Sequence, residues 1–401
     1  MTDMEVTPIY SQTKFASDND LNDPKVLEMY LISADIVNTV LPLVISKVSP
    51  GISVSDLCQF GDDLILASTE GVYKNTERGI ALPTCVTINN LVQYYSPLPE
   101  NDYNLKPNDL VKIELGVHVN GYIATAAHST IVNPTPSQPI GGRAADVICA
   151  TYFAHEAAIR MLRPGVKSSE ISRVISEIAA YYRCKPAEGT FSSLMKRFVL
   201  RAGKDIENQL NEEMTVKELE NLDFEIEANQ VYQLNIVLTT SDGKVKTAED
   251  KPFLYQRDVN ASYQLKMRSA RLAFSEINAK HTVFPFSTRA LSGNQARLGL
   301  VSLLAHHLVT PYTVMRTQLS SDLVAQYKST VLVLADGPMQ LTAAQPLPYV
   351  HSQYCIPQPT NAANVLSTPA VKQARPTKHK ATALDVNFGE RRVDVQDVDM
   401  D

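Results

Sequence analysis

Residues 109–132 read DLVKIELGVHVNGYIATAAHSTIV. Apolar and polar side chains alternate, the alternation breaks at Val119-Asn120-Gly121, and it resumes in a second apolar run. This is the pattern of a β-hairpin with one face toward a core. With Val119 and Asn120 as the two-residue turn, Glu114 stands directly opposite Thr125. Facing side chains on paired strands lie about 4.5–5.5 Å apart at Cβ. At that spacing two carboxylates can hold a pair of cations roughly 3.5–4 Å apart, as water-activating hydrolases do. Here only one of the two positions carries a carboxylate.

Outward from the hairpin, the 401 residues and 44% hydrophobic content suffice for one large core or two ordinary ones. The formal charge of -6 argues against a surface that coats nucleic acid as a whole, so any such contact must be local. No apolar stretch is expected to reach the roughly 18 residues of a membrane span, and no basic-then-apolar leader opens the chain. Five widely spaced cysteines without C-x-x-C exclude a disulfide framework or zinc ribbon and read as buried thiols.

Residues 1–21 read as a flexible N-terminal segment. A helix is expected from Pro24 behind Asn22 or Asp23 as cap, ending near Ser49-Pro50-Gly51, with a second in SVSDLCQFGDDLILAST. The Ala-rich ADVICATYFAHEAAIRML and the amphipathic SEISRVISEIAAYY supply two more. Strands are expected around 80–95, 228–256 and 325–342, with a helical, basic insert over about 257–318. From 345 to 401 the chain reads as a disordered tail with a short basic and a short acidic block.

LPTCVTINNLVQYYSPLP (82–99), KIELGVHVNGYIATAAHSTIV, QVYQLNIVLTTSDGK and FPFSTRAL with AQYKSTVLVL occur here in the order found in type II methionine aminopeptidases. Over about residues 22–344 the chain resembles that family. The resemblance implies an α+β pita-bread fold with the type II helical insert. It also implies where the family's two divalent metals would sit, and those five ligand places fall on Glu114, Thr125, Ser193, Asn235 and Lys328. Only the first keeps an anionic oxygen, and Lys328 brings a cation to a site that needs anions. The family's two substrate-site histidines correspond to Tyr94 and Arg201, so proton handling is missing as well. No metal, no other cofactor and no catalysis are therefore expected. Glu114 and Lys328 should pair inside the old cleft. His118 and His128 lie close in sequence but offer no ligand spacing.

SYQLKMRSARLAFSEI and QYKSTVLVLADGPMQLT narrow the resemblance to the non-catalytic proliferation-associated and curved-DNA-binding branch. That branch implies a nuclear and cytoplasmic, monomeric protein, with no membrane association. Its implied partners are ribosomal RNA and the large ribosomal subunit, curved DNA, and regulatory proteins, with roles in ribosome biogenesis, translation or transcription. Independently of the family, residues 257–297 carry Arg257, Lys266, Arg268, Arg271, Lys280, Arg289 and Arg297 against Asp258 and Glu276. Such a cluster can contact a phosphate backbone without reading sequence. Two other readings stay open: a protein-interaction module that captures a peptide in the degenerate cleft, and an active metalloaminopeptidase of unorthodox site.

Overall fold

The computed structural model describes residues 17–132, 139–210, 215, 217, 222–343, 347–369 and 371–375. Helices α1 (Pro24–Ile45) and α2 (Val54–Glu70) come first. Asp23 caps α1 by accepting from the Lys25 amide, and Ser53 caps α2 by accepting from the Asp56 amide. Strands β1 (Arg78–Ile88), β2 (Leu110–Val119) and β3 (Tyr122–Ile131) follow, then helices α3 (Gly142–Met161) and α4 (Ser168–Tyr181). Strands β4 (Phe191–Met195), β5 (Asp205–Glu207) and β6 (Gln230–Thr239) precede the insert. The insert comprises β7 (Leu254–Arg257), α5 (Arg268–Lys280), β8 (Phe286–Ser287), α6 (Gly293–Ala305) and β9 (Val309–Tyr312). The chain returns through β10 (Val324–Leu334) and β11 (Gly337–Gln340), then α7 (Asn361–Ser367) and β12 (Lys372–Gln373).

The main sheet runs β1-β2-β3-β10-β6-β4-β5, and β7 sits between β8 and β9 in a smaller sheet. Alternation along the strands decides what lies on each side. Val111, Ile113, Leu115, Val117 and Val119 of β2 join the core with α1 and α2. Tyr232, Leu234, Ile236 and Leu238 of β6, with Ala325, Tyr327, Val331 and Val333 of β10, join the core with α3 and α4. The intervening residues, among them Glu114, Asn235 and Lys328, are thereby turned to the other face, since side chains alternate along a strand.

Three expectations change. α1 is long and apolar enough to cross a membrane by length and composition, but ten of its residues are buried against its neighbours, where it serves as a core helix. Nor does the ordered body end at 344. Val350 and Ala362 are buried, α7 packs on α3 and α4, and β12 pairs in parallel with β11. Apolar residues such as Val350 and Val365, dispersed among prolines and glutamines, give no periodic signal, so only tertiary contact reveals them. At the other end Asp18 already pairs with Arg197, and Asp20 with Asn229, ahead of residue 22. Residues 1–16 and 376–401 lie outside the described residues.

Candidate functional site

The hairpin turns at Asn120-Gly121, not Val119-Asn120. Both residues have positive φ, 53° and 82°, the requirement of the two-residue turn that matches strand twist. A Cβ on Gly121 would stand 2.5 Å from the Phe198 ring, so glycine is needed for room as well as for φ. The correction moves the pairing by two residues: Glu114 faces Ala127, and Thr125 faces Gly116. A two-residue shift preserves the face, and the two side chains remain diagonal neighbours on the cleft side.

Across the cleft, Lys328 of β10 pairs with Ala127 on one side and Asn235 on the other. Its ammonium makes a short, buried ion pair with Glu114 Oε1, as expected from sequence. The two side chains are 4% and 1% exposed, so each charge depends on the other for compensation. Gln326 Nε2 donates to Asn235 Oδ1 at 2.8 Å, and Asn235 Nδ2 donates to the Phe191 carbonyl at 3.3 Å. Glu114 Oε2, Thr125 Oγ1 and Ser193 Oγ are buried without a protein partner among the described residues. The two-metal set of the resembling family does not fit. Ser193 and Asn235 are neutral, Thr125 offers one hydroxyl, and an ammonium occupies the carboxylate's reach. Among the described residues no group of three or more His, Cys, Asp or Glu could hold a metal ion.

Aromatic rings close the cleft from the insert side. Tyr94, at φ 64°, meets Tyr312 of β9 edge-on at 4.9 Å between centroids. Burial and then the nearby Glu114 carboxylate push the Tyr94 phenol well above its ordinary range. His118 shares the cleft face but stacks on Phe284 at 4.1 Å, and burial lowers it to about 3. His128 points to the other face against Tyr327, lowered by burial to about 4. Both are neutral packing residues. Arg201 lies at the rim, over the Phe191 ring at 3.6 Å and paired with Asp205 at 2.7 Å.

Sequence reasoning missed Lys112. It is fully buried on the cleft side of β2, and its Nζ donates to the Asn89 carbonyl at 3.0 Å. Burial holds its ammonium well below the lysine range, and the hydrogen bond to Asn89 is its structural anchor. The signal was available: Lys112 and Glu114 share strand parity with the expected cleft face.

The insert's basic cluster divides on inspection. Arg289 was grouped with the phosphate-contacting residues, but its guanidinium is buried and paired with Asp62 at 2.7 Å and with Ser96. It fastens the insert to α2 and is unavailable to a ligand. Lys280 pairs with Glu276 at 2.9 Å, and Arg297 lies 3.8 Å from Glu100. Arg257 rests over the Phe274 ring, and Arg271 Nη1 donates to the Leu265 and Lys266 carbonyls. Lys266 and Arg268 are exposed, and their side chains have no partner among the described residues. Around them stand Tyr263, Met267, Leu272, Leu298 and Val301, between 44% and 68% exposed. The surface is mixed basic and apolar.

Comparison with known proteins bears on the family and the fold. Residues 28–253 match Metallopeptidase family M24. The chain is 41% identical to ERBB-3 binding protein 1 of Solanum tuberosum over 81% of its length and 83% of that protein's. It is 33% identical to the curved DNA-binding protein of Schizosaccharomyces pombe, covering 82% and 87%. A thermophilic Arx1 structure superposes with a TM-score of 0.79 at 24% identity, over 87% of this chain and all of that one. The methionine aminopeptidase of Thermotoga maritima shares the fold at a TM-score of 0.52 and 17% identity, over 80% and 97%. With more than half its length matched by the family and relatives at this identity, the chain belongs to metallopeptidase family M24, with the pita-bread fold of the methionine aminopeptidases.

Proposed function

We propose that this chain is a non-catalytic, monomeric aminopeptidase-fold protein of nucleus and cytoplasm that binds nucleic acid through its helical insert. The targets are the RNA of the large ribosomal subunit or curved DNA, in ribosome biogenesis, translation or transcription. The observation that carries the non-catalytic reading is the Lys328 ammonium seated on Glu114, which offers a dication neither the charge nor the ligands it needs. The binding reading is supported by Lys266 and Arg268 on the outer face of the insert and by the relative named for binding curved DNA. A regulatory protein partner is supported by the relative named ERBB-3 binding protein 1. Peptide capture in the cleft is disfavoured, because its floor is almost fully buried beneath Tyr94 and Tyr312.

Sedimentation of the tagged chain from lysate through sucrose, across a salt series and with or without RNase, tests this function. Co-migration with large subunits that weakens as salt rises is the expected result, because released counterions drive such contacts. The Lys266→Glu/Arg268→Glu chain should remain at the top of the gradient. Wild-type protein that stays at the top at every salt, and also ignores curved DNA, would remove the reading.

A further inference from the structure

Charge accounts for Lys266 and Arg268 on the insert surface, but not for the ring beside them. Tyr263 precedes α5 on the segment that carries Lys266, and it is 44% exposed. One face of the ring lies flat on His306, with 3.6 Å between centroids and 15° between planes. Among the described residues this is its one ring contact. The exposed area therefore belongs to the opposite face and the edge. Both members of the stack are fixed from below. His306 caps α6, and its amide donates to the Ser302 carbonyl at 3.2 Å. The Asp258 amide donates to the Leu308 carbonyl at 3.0 Å, which draws the start of the Tyr263 segment along the chain that follows His306. On the other side of Tyr263, Leu265 is buried, and Arg271 Nη1 donates to the Leu265 and Lys266 carbonyls at 3.2 and 2.7 Å. A flat aromatic surface is thus held in place before any ligand arrives.

The free cations stand close to that surface. Lys266 follows Tyr263 by three residues, a span of at most about 11 Å, and Arg268 opens α5 two residues later. Rings and cations recognise different parts of a nucleotide. A cation holds phosphate whatever the base is doing. An exposed ring adds affinity only where a base is unpaired and can turn its face outward, because paired bases already stack on one another inside a duplex.

We propose that Tyr263, backed by His306, is a stacking platform for an unpaired nucleobase, with Lys266 and Arg268 on the phosphates beside it. The inference rests on the nucleic-acid reading above and narrows it. The preferred target is RNA that presents a bulged or looped-out base, and a uniform duplex engages the cations alone.

Titration of the full-length protein with two RNA probes tests it, one a fully paired duplex and the other the same duplex with a single unpaired uridine. The bulged probe should bind more tightly by about 5- to 150-fold, the range that stacking of one base supplies. Tyr263→Phe should keep this preference, because the ring remains. Tyr263→Leu should abolish it and leave duplex binding and its salt dependence as in the parent chain. A leucine that loosened the segment would confuse that result, so the wild-type chain gives a second readout. With iodouridine at the unpaired position, near-ultraviolet light should join the base to Tyr263, as located by mass spectrometry of the peptides. Equal affinity for the two probes would overturn the platform, as would a bulge preference that survives Tyr263→Leu or a cross-link that maps away from Tyr263 and His306. Each of these leaves the contacts of Lys266 and Arg268 standing. Binding of neither probe at any salt would remove the nucleic-acid reading itself, and the platform with it.

Discussion

Lys328 and Glu114 hold each other's charge in a site nearly sealed from water, and each becomes a liability without the other. Lys328→Met should therefore destabilise the fold by about 3–5 kcal/mol, the usual result of stranding a buried charge. Lys328→Met with Glu114→Gln should recover most of that loss. Urea midpoints of the two variants check this, and a double variant as unstable as the single one would show that the pair is not the cause. The pair itself was legible, because a lysine aligned with a carboxylate position leaves few alternatives in a closed cleft. Thr125's exact neighbour was not, since that depended on which two residues made the turn. Asn-Gly should have settled the choice, both residues tolerating the positive φ that Val119 would resist.

His118, His128, His155 and His281 belong to the same scale. Burial lowers them to about 3, 4, 3 and 4 against an ordinary 6.5. Their folded forms stay neutral at pH values where the unfolded chain takes up protons. Folding stability is thus unaffected by them above pH 6.5 and is lost as pH falls from 6.5 toward 4, by up to about 1.4 kcal/mol per histidine per pH unit. A urea midpoint that drops between pH 7.5 and 5, with a shallower drop for His118→Phe, is the expected result. A flat profile would show that these rings are solvated.

At the scale of elements, the insert is fastened by contacts that sequence could not assign. Arg289 looked like one more exposed cation, because charge alone does not reveal a buried partner more than two hundred residues away. Its loss should act on stability. Arg289→Ala is expected to lower the melting temperature by several degrees and to spare the salt dependence of nucleic-acid binding. Gly299 makes a second prediction of this kind. Its helix crosses Ser269 too closely for a methyl group, so Gly299→Ala should cost about 1–3 kcal/mol of overpacking. Faster amide exchange confined to α5 and α6 would be its signature, whereas uniform exchange would mean that the insert and the main sheet unfold together. The strands and helices of the body were legible from periodicity and capping. α7 and β12 were not, because seven-residue and two-residue elements are set by docking rather than by their own pattern.

For the whole molecule, the pita-bread frame of the family persists, and the buried Lys328–Glu114 pair stands at its centre. The hydrophobic alternation of β2, β6 and β10 still builds two cores on one side of the sheet and a polar face on the other. Sequence shows that frame because burial fixes it over hundreds of residues. It shows the mixed character of the insert surface less well, since which apolar side chains stay exposed is decided by helix crossing. The non-catalytic reading requires a cleft that takes no metal. Calorimetric titration of the full-length protein with manganese or cobalt at neutral pH, followed by a methionine-release assay on a Met-Ala-Ser peptide, addresses it directly. No stoichiometric uptake and no released methionine are the expected results. Binding of one or two ions per chain with methionine release, both lost in Glu114→Gln, would contradict it.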